Sequence, residues 1–185
     1  MIAVPILTTR NLILRPIDEK DIAALYALFS SEQVMEFMDV ERFTNVSEAA
    51  QMVSFFRDKL QSGEGMRWGI SLSARNELIG TCGFHHINKA HYKAEVGYDL
   101  LPAWWGKGVM TQAISRILQY GFEELHFNRI EAVVDPTNNR SFQLLERIGF
   151  QREGLLRKAF YEKNGFADAY MYSLLNRDYK NELHF

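Results

Sequence analysis

The sequence lacks the features that would place it outside ordinary globular proteins. It has a single cysteine, Cys82, which excludes an internal disulfide and agrees with a reducing compartment. It has no apolar run of about 18 residues and no basic segment followed by a long apolar stretch, so neither a membrane span nor a secretion signal is predicted. The formal net charge of -2 provides no excess positive charge for nucleic acid or an anionic membrane. We expect a cytoplasmic protein that binds neither.

The composition is that of a folded domain. A length of 185 residues, 47% of them hydrophobic and 24% charged, predicts a single domain over residues 1–185 with a substantial core. No repeat or linker interrupts the chain. Cys82 stands among apolar residues of a predicted strand, so we expect it in the core and not as a nucleophile.

One stretch, residues 94–122, combines a strand, a glycine turn and a helix. Apolar and polar or small residues alternate over 94–101, which predicts a β-strand. Two glycines, Gly106 and Gly108, follow it. From 110 to 122 apolar residues recur every three or four positions, which is typical of an amphipathic helix.

The glycine turn is thus placed at a helix N-terminus, where unpaired backbone N–H groups and the helix dipole favour an anion. Glycine lets the backbone approach such a ligand closely. The spacing fits neither common phosphate loop, because a Rossmann loop needs a third glycine where Thr111 stands and a P-loop needs Ser or Thr where Gly108 stands. An ordinary strand-to-helix turn remains the alternative.

The turn belongs to a wider pattern of motifs. Trp105-Gly106-Lys107-Gly108-Val109-Met110-Thr111 is followed by Asn138-x-x-Ser141 and by Glu146-Arg147-Ile148-Gly149-Phe150. The chain opens with Thr9-Arg10-x-Leu12-x-Leu14-Arg15 and ends its motifs with Glu153-Gly154-x-x-Arg157. This pattern resembles the GNAT superfamily of N-acetyltransferases, in the branch of the ribosomal-protein N-terminal (alanine/serine) acetyltransferases, over nearly the whole chain. One departure is Ala103, where the superfamily often has Gln or Arg.

The resemblance implies an α/β domain with a mixed sheet of about six or seven strands and helices on both faces. The strands at 94–101 and 129–134 are joined through a helix and must be parallel neighbours. In the resembled fold they splay apart, and the pantetheine arm of acetyl-CoA enters the gap. This implies that exposed backbone groups of Leu100 and Leu101 pair with the arm and that Asn138 contributes to cofactor binding. The pyrophosphate would be held by Trp105, Gly106, Lys107, Gly108, Val109 and Met110.

The implied reaction is direct transfer of an acetyl group to a primary amine, either a protein N-terminus, such as that of a ribosomal protein, or a small amine. Glu95 is the candidate base and Ser141 the candidate proton donor to the leaving thiolate. The residues leave alternatives open: Glu95 as an exposed strand residue, and Asn138 and Ser141 as helix caps. A non-catalytic coenzyme A-binding module is the opposing class of function. The family often forms dimers, so a homodimer is also open.

Three histidines lie close together in the sequence, namely His85, His86 and His91. Adjacent residues of a strand point to opposite faces, so His85 and His86 could not easily share one ion, and we predict no metal site. In the resembled family the region 33–43 helps to shape the acceptor pocket. Its acidic residues are candidates for attracting an amine, although solvated surface charge is the simpler explanation: Glu36, Asp39 and Glu41.

The other elements follow from periodicity and turn residues. Further strands are predicted at 11–16, 66–73, 78–87, 154–161 and 166–175, and further helices at 22–29, 47–62 and 138–148. Asn164-Gly165 is a strong signal for a hairpin between the last two strands.

Overall fold

The computed structural model describes residues 3–38, 40–162 and 165–180. The strands are β1 (Leu7–Thr8), β2 (Leu12–Arg15), β3 (Met66–Leu72), β4 (Arg75–Asn88), β5 (Lys93–Leu100), β6 (Arg129–Val134), β7 (Gln151–Glu162) and β8 (Gly165–Leu175). The α-helices are α1 (Ile22–Phe29), α2 (Glu32–Met35), α3 (Val46–Ser62), α4 (Val109–Glu123) and α5 (Asn139–Ile148). None of these described helices is long and apolar enough to cross a membrane.

The eight strands of the described residues form one sheet in the order β1-β2-β3-β4-β5-β6-β8-β7, and among these described neighbours only β5 and β6 are parallel. The predicted mixed sheet is confirmed, with one more strand than expected. The additional strand, β1, has only two residues and is too short to show a period in the sequence.

Local signals placed most boundaries correctly. The helix α3 begins after Asn45, whose side chain accepts from the backbone N–H of Ser47, while Glu48 returns the capping-box bond. It ends at Gly63, which has the left-handed φ of 74° that glycine adopts at low cost. The hairpin signal at Asn164-Gly165 includes Asn164, which lies outside the described residues.

Helices cover both faces of the sheet and create two cores. The face toward α4 buries Trp68 together with Ile114 and Ile117 of that helix. The opposite face buries Leu78 together with residues of α1 and α3: Leu25, Leu28, Phe29, Ala49 and Val53. Each fully buried aliphatic side chain contributes about 1.5–3 kcal/mol of transfer free energy. Cys82 belongs to the α4 core, and burial raises the pKa of its thiol to about 12, so its predicted core position is confirmed.

The sheet opens between β5 and β6. Only three pairs join these strands, Lys93 with Arg129, Ala94 with Ile130 and Glu95 with Glu131. Beyond them β5 continues along β4 as far as Leu100, and β6 continues along β8 as far as Val134. Among the described pairs, none joins the ends of β5 and β6, so the predicted separation of these strands is confirmed.

Candidate active site

The gap leaves one edge of β5 without a neighbouring strand. The N–H of Leu101, just after β5, donates to the carbonyl of Ile79 on the β4 side at 3.0 Å. Because backbone groups alternate in direction along a strand, those of Val96, Tyr98 and Leu100 face the gap. The Leu100 carbonyl accepts a hydrogen bond from the Trp105 indole at 2.7 Å. An extended ligand in the gap could pair with the remaining edge as an added strand would.

The backbone N–H and carbonyl of Leu101 are not exposed, contrary to the expectation from the sequence. Its N–H is bound to Ile79, and its carbonyl accepts from the N–H of Trp104 at 2.9 Å. The expectation is wrong for these groups because the N–H continues the pairing of β5 with the β4 side, while the carbonyl is used by the short 3-10 turn Pro102–Trp104.

The glycine turn adopts the conformation that an anion site needs. Gly106 and Gly108 have φ of 71° and 72°, and a Cβ atom added to either would meet nothing within 4 Å. Gly108 is the N-cap of α4, and among the described residues no side chain caps this helix. The first helical bond runs from the N–H of Gln112 to the Gly108 carbonyl, so the N–H groups of the three residues before Gln112 point out of the helix end. Together with the dipole of a 15-residue helix, they favour a phosphate.

Two cations flank the turn. The Lys107 Nζ lies 5.1 Å from the centre of the Trp104 ring, and the Arg140 guanidinium lies 4.4 Å from that of Trp105. Stacking on an aromatic ring holds a cation without neutralising it. Arg140 was missed by the sequence reasoning, although it lies within the Asn-x-x-Ser motif on the first turn of α5.

Tyr98 and Ser141 meet across the gap. The Tyr98 hydroxyl lies 2.8 Å from Ser141 Oγ. Burial raises the pKa of Tyr98 well above its ordinary value, although its hydrogen bond with Ser141 opposes the shift, so Tyr98 keeps its proton. If that proton is donated to Ser141 Oγ, the serine hydroxyl is free to donate elsewhere. The helix cap at Ser141 uses its backbone N–H, which donates to the Asn138 side chain at 3.1 Å, and not its hydroxyl.

Glu95 lies on the other face of β5, three positions before Tyr98. Its side chain is 20% exposed, with Oε1 3.0 Å from His85 Nε2 and Oε2 3.1 Å from His86 Nδ1. Burial raises the pKa of Glu95, but hydrogen bonds and charge interactions with the two histidines outweigh burial, so its pKa lies below the ordinary value. Glu95 is therefore an ionised, half-buried carboxylate at the start of the gap, and not a fully exposed strand residue.

The argument that separated His85 from His86 is wrong. His86 has a left-handed φ of 49°, and the β4–β5 register shifts between His85 and Asn88. Such a bulge interrupts the alternation of side chains, so both rings turn toward one carboxylate. The rings lie 4.9 Å apart, edge to face. One ligand atom from each of His85, His86 and Glu95 lies within 4.8 Å of the others, whereas His91 is exposed in the next turn.

Two other acidic groups on this face of the sheet, Asp99 and Glu131, have cationic partners. Asp99 is buried and accepts hydrogen bonds from Arg67 and from Thr81. Glu131, beside Glu95, is paired with Lys93 at 3.0 Å and Arg129 at 2.7 Å. Of the acidic residues expected to attract an amine, Glu36 and Glu41 are exposed, and Asp39 lies outside the described residues.

Comparison with known proteins gives a consistent result. Residues 11–151 match the family model described as an acetyltransferase (GNAT) domain. The uncharacterized N-acetyltransferase p20 of Bacillus licheniformis is 40% identical over 94% of this chain and 97% of its own length. The uncharacterized N-acetyltransferase YoaA of Bacillus subtilis is 39% identical over 92% and 97%. A crystal structure of a GNAT-family acetyltransferase from Bacillus anthracis superimposes with a TM-score of 0.83, at 27% identity, over 94% and 99% of the two chains.

The sheet opening, the uncapped glycine turn and these matches over most of the chain agree. This chain belongs to the GNAT family of N-acetyltransferases, which use acetyl-CoA as the acetyl donor.

Proposed function

We propose that the chain transfers an acetyl group directly to a primary amine through the gap between β5 and β6. The observation that carries this proposal is the placement of Glu95 and of the Tyr98–Ser141 pair on opposite faces of one strand beside that gap. The amine would approach from the Glu95 face and the thioester from the Ser141 face. Holding the two reactants on either side of one opening supplies much of the acceleration that proximity can give.

The residues at the opening fit acetyl-CoA. The unpaired edge of β5 suits the pantetheine amides, and the turn with the α4 N-terminus suits the pyrophosphate. Trp105 holds the turn against Leu100, while Lys107 and Arg140 add positive charge beside it. Val109 and Met110 contribute backbone N–H groups, and Asn138 retains an amide NH₂ that can donate. When bound, acetyl-CoA supplies an activated acetyl group and a thiol leaving group.

Two proton movements are assigned to the chain. An alkyl amine with a pKa near 10 is only about 0.1% neutral at pH 7, so its proton must be removed before or during attack. Glu95 is ionised at this pH and accepts that proton, directly or through water. Ser141 donates a proton to the departing thiolate and regains one from solvent, while Tyr98, which keeps its own proton, orients the serine hydroxyl through their hydrogen bond.

The charges around Glu95 favour an acceptor with a single amine near the reaction centre. Asp99 and Glu131 have Lys or Arg partners on the same face, whereas the partners of Glu95 are two histidines, so of these three carboxylates Glu95 is the one we assign to the amine. A polyamine carries several charges and would need more unpaired carboxylates. An N-terminal α-amine, whose pKa is near 8, also needs less help with deprotonation.

Named relatives do not decide the acceptor. A relative from Escherichia coli, 25% identical over 91% of this chain, is a spermidine N(1)-acetyltransferase. A structural neighbour from Vibrio fischeri is a ribosomal-protein-S5-alanine acetyltransferase, but at 21% identity the likeness concerns the fold alone. A panel of N-terminal peptides, polyamines and small amines, assayed by thiol release from acetyl-CoA, tests our preference for a single amine. Thiol release with none of them would favour a non-catalytic binding module.

The cofactor site is tested by Gly108→Val. A branched side chain at this position fills the space into which the turn opens, so we expect no detectable binding of acetyl-CoA by calorimetry. A left-handed non-glycine residue costs about 1–2 kcal/mol, which is small beside the roughly 5–15 kcal/mol that stabilise a domain. The variant should therefore remain folded.

Gly63→Val is the matched control. Gly63 has nearly the same φ, 74°, but lies at the end of α3, where an added Cβ meets only the flexible end of Lys89. It introduces the same backbone strain away from the turn. We expect Gly63→Val to bind acetyl-CoA as the unmodified chain does, and equal binding by Gly108→Val would refute the cofactor site.

A further inference from the structure

Three potential metal ligands converge beside the gap. His85 Nε2 and His86 Nδ1 approach different oxygens of the Glu95 carboxylate at 3.0 and 3.1 Å. The side chain of Glu95 is 20% exposed, that of His85 is 39% exposed and that of His86 is 78% exposed. The carboxylate is thus held inside, and the outer imidazole is open to solvent.

The backbone is shaped to bring these groups together. His86 occupies a left-handed conformation that residues with a Cβ rarely adopt, within the bulge between His85 and Asn88. A regular strand would turn the two imidazoles to opposite faces. A bulge next to an active site commonly redirects one side chain. Here it directs His86 toward the Glu95 carboxylate, which His85 also contacts.

The donor set has a definite chemical preference. Two imidazoles and one carboxylate suit Zn²⁺, Co²⁺ and Ni²⁺, whereas Ca²⁺ and Mg²⁺ prefer oxygen ligands. Two ligand atoms each about 2.1 Å from a tetrahedral Zn²⁺ lie about 3.4 Å apart, so the nitrogen-to-oxygen distances of 3.0 and 3.1 Å need to lengthen only slightly to admit the ion. The widest ligand separation, up to 4.8 Å, must shorten on binding, and the exposed His86 ring has room to move.

We propose that His85, His86 and Glu95 form a binding site for a divalent transition-metal cation of the Zn²⁺ class, and that occupation of this site inhibits acetyl transfer. An ion bound there would engage the Glu95 carboxylate, which could then no longer accept a proton from the acceptor amine. The metal site rests on the geometry of the three side chains. The inhibition also rests on the proposed function, because it requires Glu95 to be the base.

Calorimetric titration with ZnCl₂, in the absence of acetyl-CoA, tests the site directly. We expect one ion per chain and a loss of affinity on the order of tenfold or more in His86→Asn. Asparagine tolerates the left-handed backbone, so this variant removes a ligand and keeps the bulge. The matched control is His126→Asn, because His126 is also exposed with a left-handed φ of 56° but lies outside the cluster. Equal affinity in the unmodified chain and His86→Asn would overturn the site.

The second measurement is Zn²⁺ inhibition of thiol release, with each variant compared with its own metal-free rate. We expect inhibition of the unmodified chain and of His126→Asn at the same concentration, and at least tenfold weaker inhibition of His86→Asn. The released thiol binds some of the zinc in all three assays, so its effect on the free zinc concentration does not bias the comparison between the proteins. Stoichiometric binding without inhibition would overturn the link to Glu95, while absence of binding would overturn the site and leave the acetyltransferase proposal intact.

Discussion

The two faces of β5 carry different chemistry. The face toward α4 and α5 is apolar except for Tyr98, which is buried and bonded to Ser141. The opposite face carries charged groups held in pairs, such as Asp99 with Arg67 and Glu95 with two histidines. A buried hydroxyl keeps its proton and can donate, while a partly solvated carboxylate loses its proton and can accept. The proton-donating pair of Tyr98 and Ser141 and the proton-accepting Glu95 therefore lie on opposite faces of the same strand.

The two edges of β5 differ as well. Along β4 the pairing runs from Lys93 to Leu100, but along β6 it stops after Glu95. The paired edge keeps the strand rigid, and the open edge exposes backbone groups that a ligand can satisfy. Since buried backbone groups are nearly always paired, an open edge in the middle of a sheet indicates a binding site. The contrast between the faces can be tested by variants whose expected effects decrease in size.

The largest effect is expected from Glu95→Gln. Without the carboxylate the amine proton has no acceptor, so kcat should fall by about 10²-fold at pH 7. Part of this loss should be recovered at pH 9 to 10, because more of the acceptor amine is then neutral without a base. The measurement is a pH-rate profile with one amine.

Glu131→Gln is the control for this prediction. Glu131 lies directly beside Glu95 on β6 and is also ion-paired, but no proton transfer is assigned to it. The pH-rate profile of Glu131→Gln should have the same shape as that of the unmodified chain. If Glu95→Gln retains the unmodified rate at every pH, the base is another group.

A smaller effect is expected from Ser141→Ala. The serine hydroxyl serves the leaving thiolate, whose pKa near 8.5 makes it a tolerable leaving group even without a proton, so we expect a loss on the order of tenfold. The substitution leaves α5 capped, because the cap uses the backbone N–H of Ser141. The deficit should persist at pH 9 to 10, since the ionisation of the amine is unaffected. Recovery at high pH would contradict the assignment.

The sequence predicted the parts of the site that depend on local chemistry. Gly108 could be assigned to a helix N-terminus because glycine spacing, a preceding strand and a following apolar period lie within about 30 residues. Glu95 could be placed on the central strand because apolar residues alternate with polar or small residues over 94–101. Periodicity and turn residues predicted the remaining elements, including the short helix that begins after Asn138.

Contacts that depend on backbone irregularity or on distant packing could not be predicted. Histidine adopts a positive φ only in a minority of cases, and the strand period around His86 does not signal the left-handed conformation that turns it toward Glu95. The strand period does not show that the Leu101 N–H bonds to Ile79 or that its carbonyl is taken up by a 3-10 turn. Tyr98 is 43 residues from Ser141, and the alternation along 94–101 indicates a strand without revealing this contact.

Tyr98→Phe should have the smallest effect, because the phenyl ring preserves the packing and only one hydrogen bond is lost. A bond of this kind contributes about 0.5–1.5 kcal/mol, so we expect kcat to fall by about threefold. The informative experiment is the double variant Tyr98→Phe/Ser141→Ala. If Tyr98 acts only through the serine, its removal from Ser141→Ala should lower kcat no further, whereas independent roles would multiply. The melting temperatures of all four proteins are measured as well. If Tyr98→Phe lowers the melting temperature by the same amount with Ser141 and with Ala at position 141, a change in stability does not explain the coupling in kcat. Multiplication of the two losses would assign Tyr98 a role of its own at the thioester.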